Sequence, residues 1–170
     1  MQRRKFNQYL QRSAIALALS PWLRAVAAPA EKGRTWAVNP FALGVASGRP
    51  RADSVVLWTR LLFSDEDRAV GADALRVKLE VFADAALQRR IYTTELATDQ
   101  ARAHSVHAHV QQLKPSTEYW YRFSQGDALS AVGHTRTAPA LNADVRELRI
   151  ALTSCQHYEQ GQYIAHAEIA

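Results

Sequence analysis

An antiparallel β-sandwich is the fold class that this sequence predicts, and three observations predict it. Apolar residues recur at alternate positions in several short segments, for example Leu75, Val77, Leu79 and Val81; a period of two marks a strand with one buried face. Turn-forming residues interrupt those segments at short intervals, as in Ser47-Gly48-Arg49-Pro50, Gly71 and Pro139. Apolar residues make up 48% of the 170, a globular composition rather than a disordered one. A length of this order accommodates one domain, or one domain with a piece of a second.

The chain opens on a different kind of segment. Arg3, Arg4, Lys5, Arg12 and Arg24 are five of the 21 basic residues and have no acid among them, which leaves 16 basic against 16 acidic residues in the remainder. The body is therefore neutral, and the net charge of +5 gives no support to a nucleic-acid footprint. Charged residues, then a short apolar run from Ser13 to Leu23, then Ala25-Val26-Ala27 follow the order of a bacterial export signal, so residues 1–28 read as a signal peptide cleaved after Ala27 or Ala28. The apolar run falls well short of the roughly 20 residues needed to cross a bilayer, which argues against a stable membrane anchor. Arg3-Arg4 followed by Phe6 resembles the twin-arginine signal, which hands a protein to the twin-arginine export machinery and so to the periplasm or the medium. Ordinary secretion and a cytoplasmic amphipathic helix are the alternatives, since Gln2 and Asn7 depart from the usual motif.

Residues 36–139 supply the strands. Phe41, Leu43 and Val45 alternate before the first turn, and Val55-Val56-Leu57-Trp58 opens a strand running to about Leu62. Asp65 to Asp73, crowded with charge, reads as a loop. Leu75 to Val81 is the clearest strand, with Arg76, Lys78 and Glu80 on its polar face. Ala85 to Leu96 is ambiguous between helix and strand, although Ile91-Tyr92-Thr93-Thr94 favours a strand in its second half. Val106, Ala108 and Val110 alternate next, then Tyr119, Tyr121 and Phe123, and Ala128 to Thr137 completes about seven strands.

Leu113, Pro115, Thr117 and Tyr119 reproduce a pattern familiar at one corner of fibronectin type III domains, so the sandwich is expected to be fibronectin-III/Ig-like with Tyr119 as a tyrosine corner. A chain that passes between sheets leaves backbone groups unpaired, and a tyrosine hydroxyl can bond one of them while its ring fills the core. His107 and His109 share one strand face opposite the apolar Val106, Ala108 and Val110, which predicts solvent-facing imidazoles rather than a metal site. His104, His134 and His166 are given no role.

At Arg146 the pattern changes. Leu148, Ile150, Ala151 and Leu152 form a compact apolar run into Thr153-Ser154-Cys155-Gln156, and a helix is expected from about Gln160, carrying Tyr163, Ile164 and Ile169. A buried strand, a loop with a reactive residue and a helix is how catalytic α/β domains begin. Residues 146–170 therefore read as the truncated start of such a domain, whose strand and helix cannot bury their apolar faces alone. Cys155 is the only cysteine, which excludes an internal disulfide and cysteine-rich zinc sites. It could be a buried small hydrophobe, a metal ligand or a nucleophile, with His157 two residues on as a base. Phosphate-binding loops, nucleophile elbows and zinc-protease helices have no counterpart in the chain.

Five pieces in order resemble the amino-terminal part of the alkaline phosphatase D (PhoD-like) phosphodiesterases: Phe41 to Gly48, Asp53 to Arg60, Leu113-Lys114-Pro115 with Tyr119 to Phe123, Gly133 to Thr137, and Ser154-Cys155-Gln156 with Tyr158 and Glu159. Arg49 departs from that family's Ser-Gly-Asp-Pro turn. The resemblance implies a β-sandwich followed by the first strand and helix of an α/β metallophosphatase-like domain, and hydrolysis of phosphate esters with iron and calcium. It also implies that Cys155 is a thiolate ligand to iron, the other ligands lying downstream. Such an ion polarises the phosphoryl group and offers an activated hydroxide. A stand-alone secreted fibronectin-III-like binding module is the competing function, and under either reading the chain is expected to be inactive by itself.

Overall fold

The computed structural model describes residues 34–69, 74–147 and 149–154. From Thr35 onward they belong to one unit, built almost wholly of antiparallel strands. In chain order these are β1 (Val45–Gly48), β2 (Val55–Arg60), the short helix α1 (Asp65–Ala69), β3 (Ala74–Phe82), β4 (Arg90–Asp99), β5 (Ser105–Val110), β6 (Glu118–Gln125), β7 (Ala128–Leu129) and β8 (Gly133–Arg136). No helix among the described residues is long and apolar enough to cross a membrane.

Two sheets face each other. The smaller has the order β1-β2-β5, and the larger runs β4-β3-β6 with β7 and β8 both paired to β6. Register follows from the side-chain period of two, because a slip by one residue would turn every apolar side chain to water. Leu57 thus pairs with Ala108 and Val55 with Val110, while Leu79 pairs with Phe123 and Val81 with Tyr121. All are buried, and with Val77, Val106 and Tyr119 they form one continuous core. Burying each large aliphatic or aromatic chain contributes about 1.5–3 kcal/mol, before the entropy of ordering it is subtracted. Trp36 closes one end: its indole N–H donates to the carbonyl of Gln125 at 2.9 Å and to that residue's Oε1 at 2.8 Å, and its ring meets Phe63 edge-on at 5.2 Å.

The alternation read from the sequence holds for β2, β3, β5 and β6, and β4 extends the Ile91 to Thr94 segment into ten residues. Elsewhere the structure corrects it. Phe41 is buried but sits in a turn, closed by the Gly44 N–H donating to the Phe41 carbonyl at 2.8 Å, and Leu43 is exposed. Gly44 has φ +72°, which a side chain would strain. The charged stretch after Ser64 is no simple loop, since α1 starts there. Ser64 Oγ accepts from the Asp67 N–H at 3.1 Å and donates to Asp67 Oδ2 at 2.5 Å, a capping arrangement that satisfies one free amide of the first turn. The buried Asp67 also receives the Ala37 N–H at 3.1 Å. The first half of the ambiguous segment is a turn around Asp84, whose carboxylate takes the N–H groups of Gln88 and Arg89; those bonds hold it below the ordinary carboxylate range.

The strand expected at Ile150 is not formed among the described residues: residues 149–154 lie in no strand, while Ile150 and Leu152 are exposed, as expected of a segment that cannot bury its apolar face alone. A strand exists only by pairing its backbone with another, and among the described residues nothing pairs with this one. The proposed signal peptide and the helix from Gln160 lie outside the described residues.

Candidate functional site

Cys155, the one predicted metal ligand, lies outside the described residues, as do His157, Tyr158 and Glu159. The structure describes instead the platform that leads to them. At its base the chain crosses between sheets, and the crossing is tied by hydrogen bonds. The Lys114 N–H donates to the Tyr119 hydroxyl at 2.9 Å, so the tyrosine corner forms as the sequence pattern predicts, the hydroxyl serving as acceptor. The Leu113 N–H reaches the Asp53 carbonyl at 2.9 Å. Thr137, buried, donates from Oγ1 to the Lys114 carbonyl at 2.6 Å and accepts the Thr117 N–H at 3.0 Å. Its neighbour Ala138 is fixed at both backbone groups, donating to the Arg51 carbonyl at 3.0 Å and accepting the Ser116 N–H at 3.0 Å. The chain therefore leaves the sandwich from a rigid point, which aims the segment after Pro139.

Beyond that point a groove of about 750 Å³ opens between the sandwich base and the exit segment, lined by Pro50, Ser116, Arg136, Ala143, Glu147 and Arg149 among others. Its charges are mixed: Arg149 Nε contacts Glu147 Oε1 at 2.7 Å. Both side chains are more exposed than buried, and such pairs contribute roughly 0–1 kcal/mol. Arg49, on the adjoining turn, takes φ +47°. That left-handed region suits Gly, Asn and Asp better than Arg, so the departure from the Ser-Gly-Asp-Pro turn places a less favourable backbone conformation beside this groove.

Among the described residues the histidines hold no common site. His107 and His109 are exposed on the outer face of the smaller sheet, opposite Trp58 and Val56, as their alternation predicts. His104 packs its ring on Phe63 with centroids 4.5 Å apart, and His134 stacks on Trp120 at 5.0 Å. Among the described residues no three His, Cys, Asp or Glu side chains are grouped so as to hold a metal ion. Iron and calcium, implied by the resemblance, therefore find no fitting set of ligands in the sandwich itself.

Two features escape sequence reasoning. Glu80, on the polar face of β3, is buried at 8% exposure and gathers Arg90 from β4, Lys78 from β3 and Arg122 from β6. Burial alone would raise its carboxyl, but hydrogen bonds from these three cations and the charge of Lys78 outweigh that and lower it. The other is Gly133, where a Cβ would lie 2.2 Å from Tyr121 Cζ. Tyr121 fills the core beneath it, and burial pushes its phenol up to about 12. Neither carries a local signal: Glu80 reads as one more charged position beside Arg76 and Lys78, and the partner of Gly133 lies on another strand.

Known proteins place this platform. Residues 26–139 match the family described as the N-terminal domain of PhoD-like phosphatases. Alkaline phosphatase D of Bacillus subtilis (strain 168) is 44% identical over 133 residues, which is 77% of this chain and 23% of that protein. A solved structure of PhoD superposes with a TM-score of 0.73 at 40% identity, covering 80% of this chain and 26% of that one. A fibronectin type III domain from the human KIAA0970 protein is more distant, with a TM-score of 0.45 at 14% identity over 66% of this chain and 84% of that one. The chain thus spans about a quarter of the length of its phosphatase relatives. The family match, the sequence identity and the superposition agree, and the chain belongs to the PhoD-like phosphatase family, of which it carries the amino-terminal domain.

Proposed function

We propose that this chain forms the amino-terminal sandwich of a secreted phosphoric ester hydrolase that uses iron and calcium, and that Cys155 is the first residue of its metal shell. The observation that carries the reading is the 44% identity to alkaline phosphatase D across most of the chain. The exit geometry supports it: Ala138 is fixed to the sandwich base, and exposed Ile150 and Leu152 precede Ser154-Cys155-Gln156. Apolar side chains so placed gain by being covered. In this proposal the sandwich positions and shields, while phosphate ester and metals are held by residues after Leu152.

The test has two arms, both reading nitrophenol release from bis-nitrophenyl phosphate with iron and calcium supplied. The 170-residue chain alone should give no turnover above its Cys155→Ala variant. Joined to the remaining part of Bacillus subtilis alkaline phosphatase D, it should hydrolyse the diester, and Cys155→Ala should abolish that activity. A folded chimera without activity would overturn the hydrolase reading and favour a binding module. Turnover by the chain alone, lost in the variant, would show that a working centre forms within it. The proposal includes export by the twin-arginine route, so the double change Arg3→Lys and Arg4→Lys should leave a reporter fusion in the cytoplasm; undiminished export would refute that part.

A further inference from the structure

The charges on the outer face of the larger sheet do not balance. Elsewhere among the described residues acids and bases meet one to one, as in Asp65 with Arg68, Asp99 with Arg102 and Glu147 with Arg149. Glu80 gathers three cations instead. Its Oε1 takes Arg90 Nη1 at 2.5 Å and Lys78 Nζ at 3.1 Å, and its Oε2 takes Arg122 Nη2 at 3.4 Å. The carboxyl is held below its ordinary range, so it is ionised near neutral pH and the cluster keeps an excess of positive charge equal to two cations. The next charges along this face leave that excess in place, because Arg76 and Glu95 oppose each other in sign, as do Glu118 and Arg136 across β6 and β8. Donors are in excess as well. Two guanidiniums and an ammonium carry about thirteen N–H groups, and one carboxylate offers about four lone-pair sites. The buried Arg122 Nε–H has no acceptor among the described residues. Arg90 and Lys78 are half-exposed, whereas Glu80 is buried between them. The three cations project from β4, β3 and β6, strands joined side by side. The sheet therefore fixes their spacing, and Glu80 draws their ends together over one spot.

We propose that this spot binds a dianionic phosphoryl group, either free phosphate or the head of a phosphate monoester. Its charge of about −1.5 to −2 near neutral pH matches the excess, and it presents three strong acceptor oxygens. Each oxygen can take a donor from a different one of Arg90, Lys78 and Arg122, in bonds of the charge-assisted class. A carboxylate or a phosphodiester brings one charge and leaves the second unmatched. A site assembled before its ligand arrives loses little freedom on binding, and here β-sheet geometry and Glu80 do the assembling. Binding at this spot uses no metal and no residue after Leu152, so it stands or fails apart from the hydrolase reading.

The test follows the backbone amide NMR signals of the full chain during a titration with sodium phosphate, at about pH 8 and a constant ionic strength of about 0.15 M. Binding is read at single residues because Arg3, Arg4, Lys5, Arg12 and Arg24 attract anions too. The signals of Lys78, Glu80, Arg90 and Arg122 should move together and saturate, with half-saturation at about 1 mM or below. Signals that stay in place, or that drift without saturating, would overturn the proposal. Arg90→Gln and Lys78→Gln, both at half-exposed positions, should each weaken binding about tenfold. Arg76→Gln removes the same charge from the same face of β3, but about 13 Å from Glu80 and so beyond the Debye length. It should change the affinity less than about twofold. Equal weakening by all three variants would reveal diffuse attraction in place of a site. Dimethyl phosphate, with a single charge, should bind at least about tenfold more weakly than phosphate; equal affinity would refute the match of charge. Phenyl phosphate separates the two sources, since affinity at or above that of phosphate assigns the site to ester heads and lower affinity assigns it to the free ion.

Discussion

The sandwich strands and the exit segment both carry alternating apolar side chains, and they meet opposite fates. In the strands Leu57, Val77 and Phe123 have no measurable exposure, whereas beyond Pro139 Leu141 is 101% exposed, Ile150 78% and Leu152 89%. Hydrophobicity does not distinguish them, because Ile150-Ala151-Leu152 is as apolar as Val55-Val56-Leu57. Partnership does: Val55 to Leu57 lie between two strands, while residues 149–154 have none among those described. Burial is a property of the assembled sheet, and the same pattern of side chains is core in one place and an uncovered surface in the other.

The largest effect that would break this contrast lies where the sandwich is tightest. Gly133→Ala drives a Cβ to 2.2 Å from Cζ and 2.6 Å from Cε1 of Tyr121, a ring only 1% exposed and so without room to retreat. The expected loss is about 3 kcal/mol, at the upper end for overpacking, read as a lower denaturant midpoint. A midpoint unchanged from the parent would mean that the two strands separate easily, and that the sandwich is less rigid than its burial implies.

Next comes the corner that anchors the exit. Tyr119→Phe leaves the Lys114 N–H, now bonded at 2.9 Å, without its acceptor, and should lower stability by about 1–2 kcal/mol. Tyr92→Phe, in a half-buried residue of an edge strand, should lower it by less than about 0.5 kcal/mol. Equal and negligible shifts for both would remove the corner from the account of how the exit is held.

The Glu80 cluster gives the contrast a pH dependence. Its carboxyl is lowered in the folded protein from an ordinary value of 4.5, so the folded state binds the proton less readily than the unfolded chain does. The stability this contributes is fully present above pH 4.5 and is lost as pH falls below it through the folded value. Glu80→Gln should lower stability by about 1–2 kcal/mol near neutral pH, less than a fully buried pair because the cations remain partly solvated. The difference between variant and parent should shrink as the midpoint is tracked down to about pH 3. A gap that persists there would assign the role of Glu80 to packing and not to charge.

These cases show which parts of the molecule are legible in the sequence. Tyr119 is, because a corner is made by residues close in the chain, and so is the inward face of β3, where Leu75 to Val81 alternate. Ser64 and Asp67 carry a legible capping pattern that the density of charge nearby obscures. Glu80 shows in the sequence only as a polar position on an outer face: its burial depends on Arg90 and Arg122, ten and 42 residues away. Gly133 needs Tyr121 across the sheet before its lack of a side chain means anything. The strand expected at Ile150 rests on apolar content, which states a wish for burial and does not supply the neighbour. For the candidate site the legible element is Cys155 in its motif, whereas the platform behind it is made by the tertiary bonds of Lys114, Thr137 and Ala138.

The smallest expected effect is the most direct test of the opening contrast. If the exit segment is uncovered, exchanging Ile150 and Leu152 together for Ser removes no packing from the sandwich, and surface changes of that kind stay within about 0.5 kcal/mol. The denaturant midpoint of the double variant should therefore match the parent. Solubility should rise, because two side chains exposed to 78% and 89% would no longer offer an apolar patch to other molecules. In the chimera with the catalytic part of alkaline phosphatase D the same exchange should be costly, since there the residues would have something to pack against. A drop of about 2 kcal/mol or more in the isolated chain would mean that Ile150 and Leu152 are already part of its core, and that the sandwich and its exit are not two regions but one.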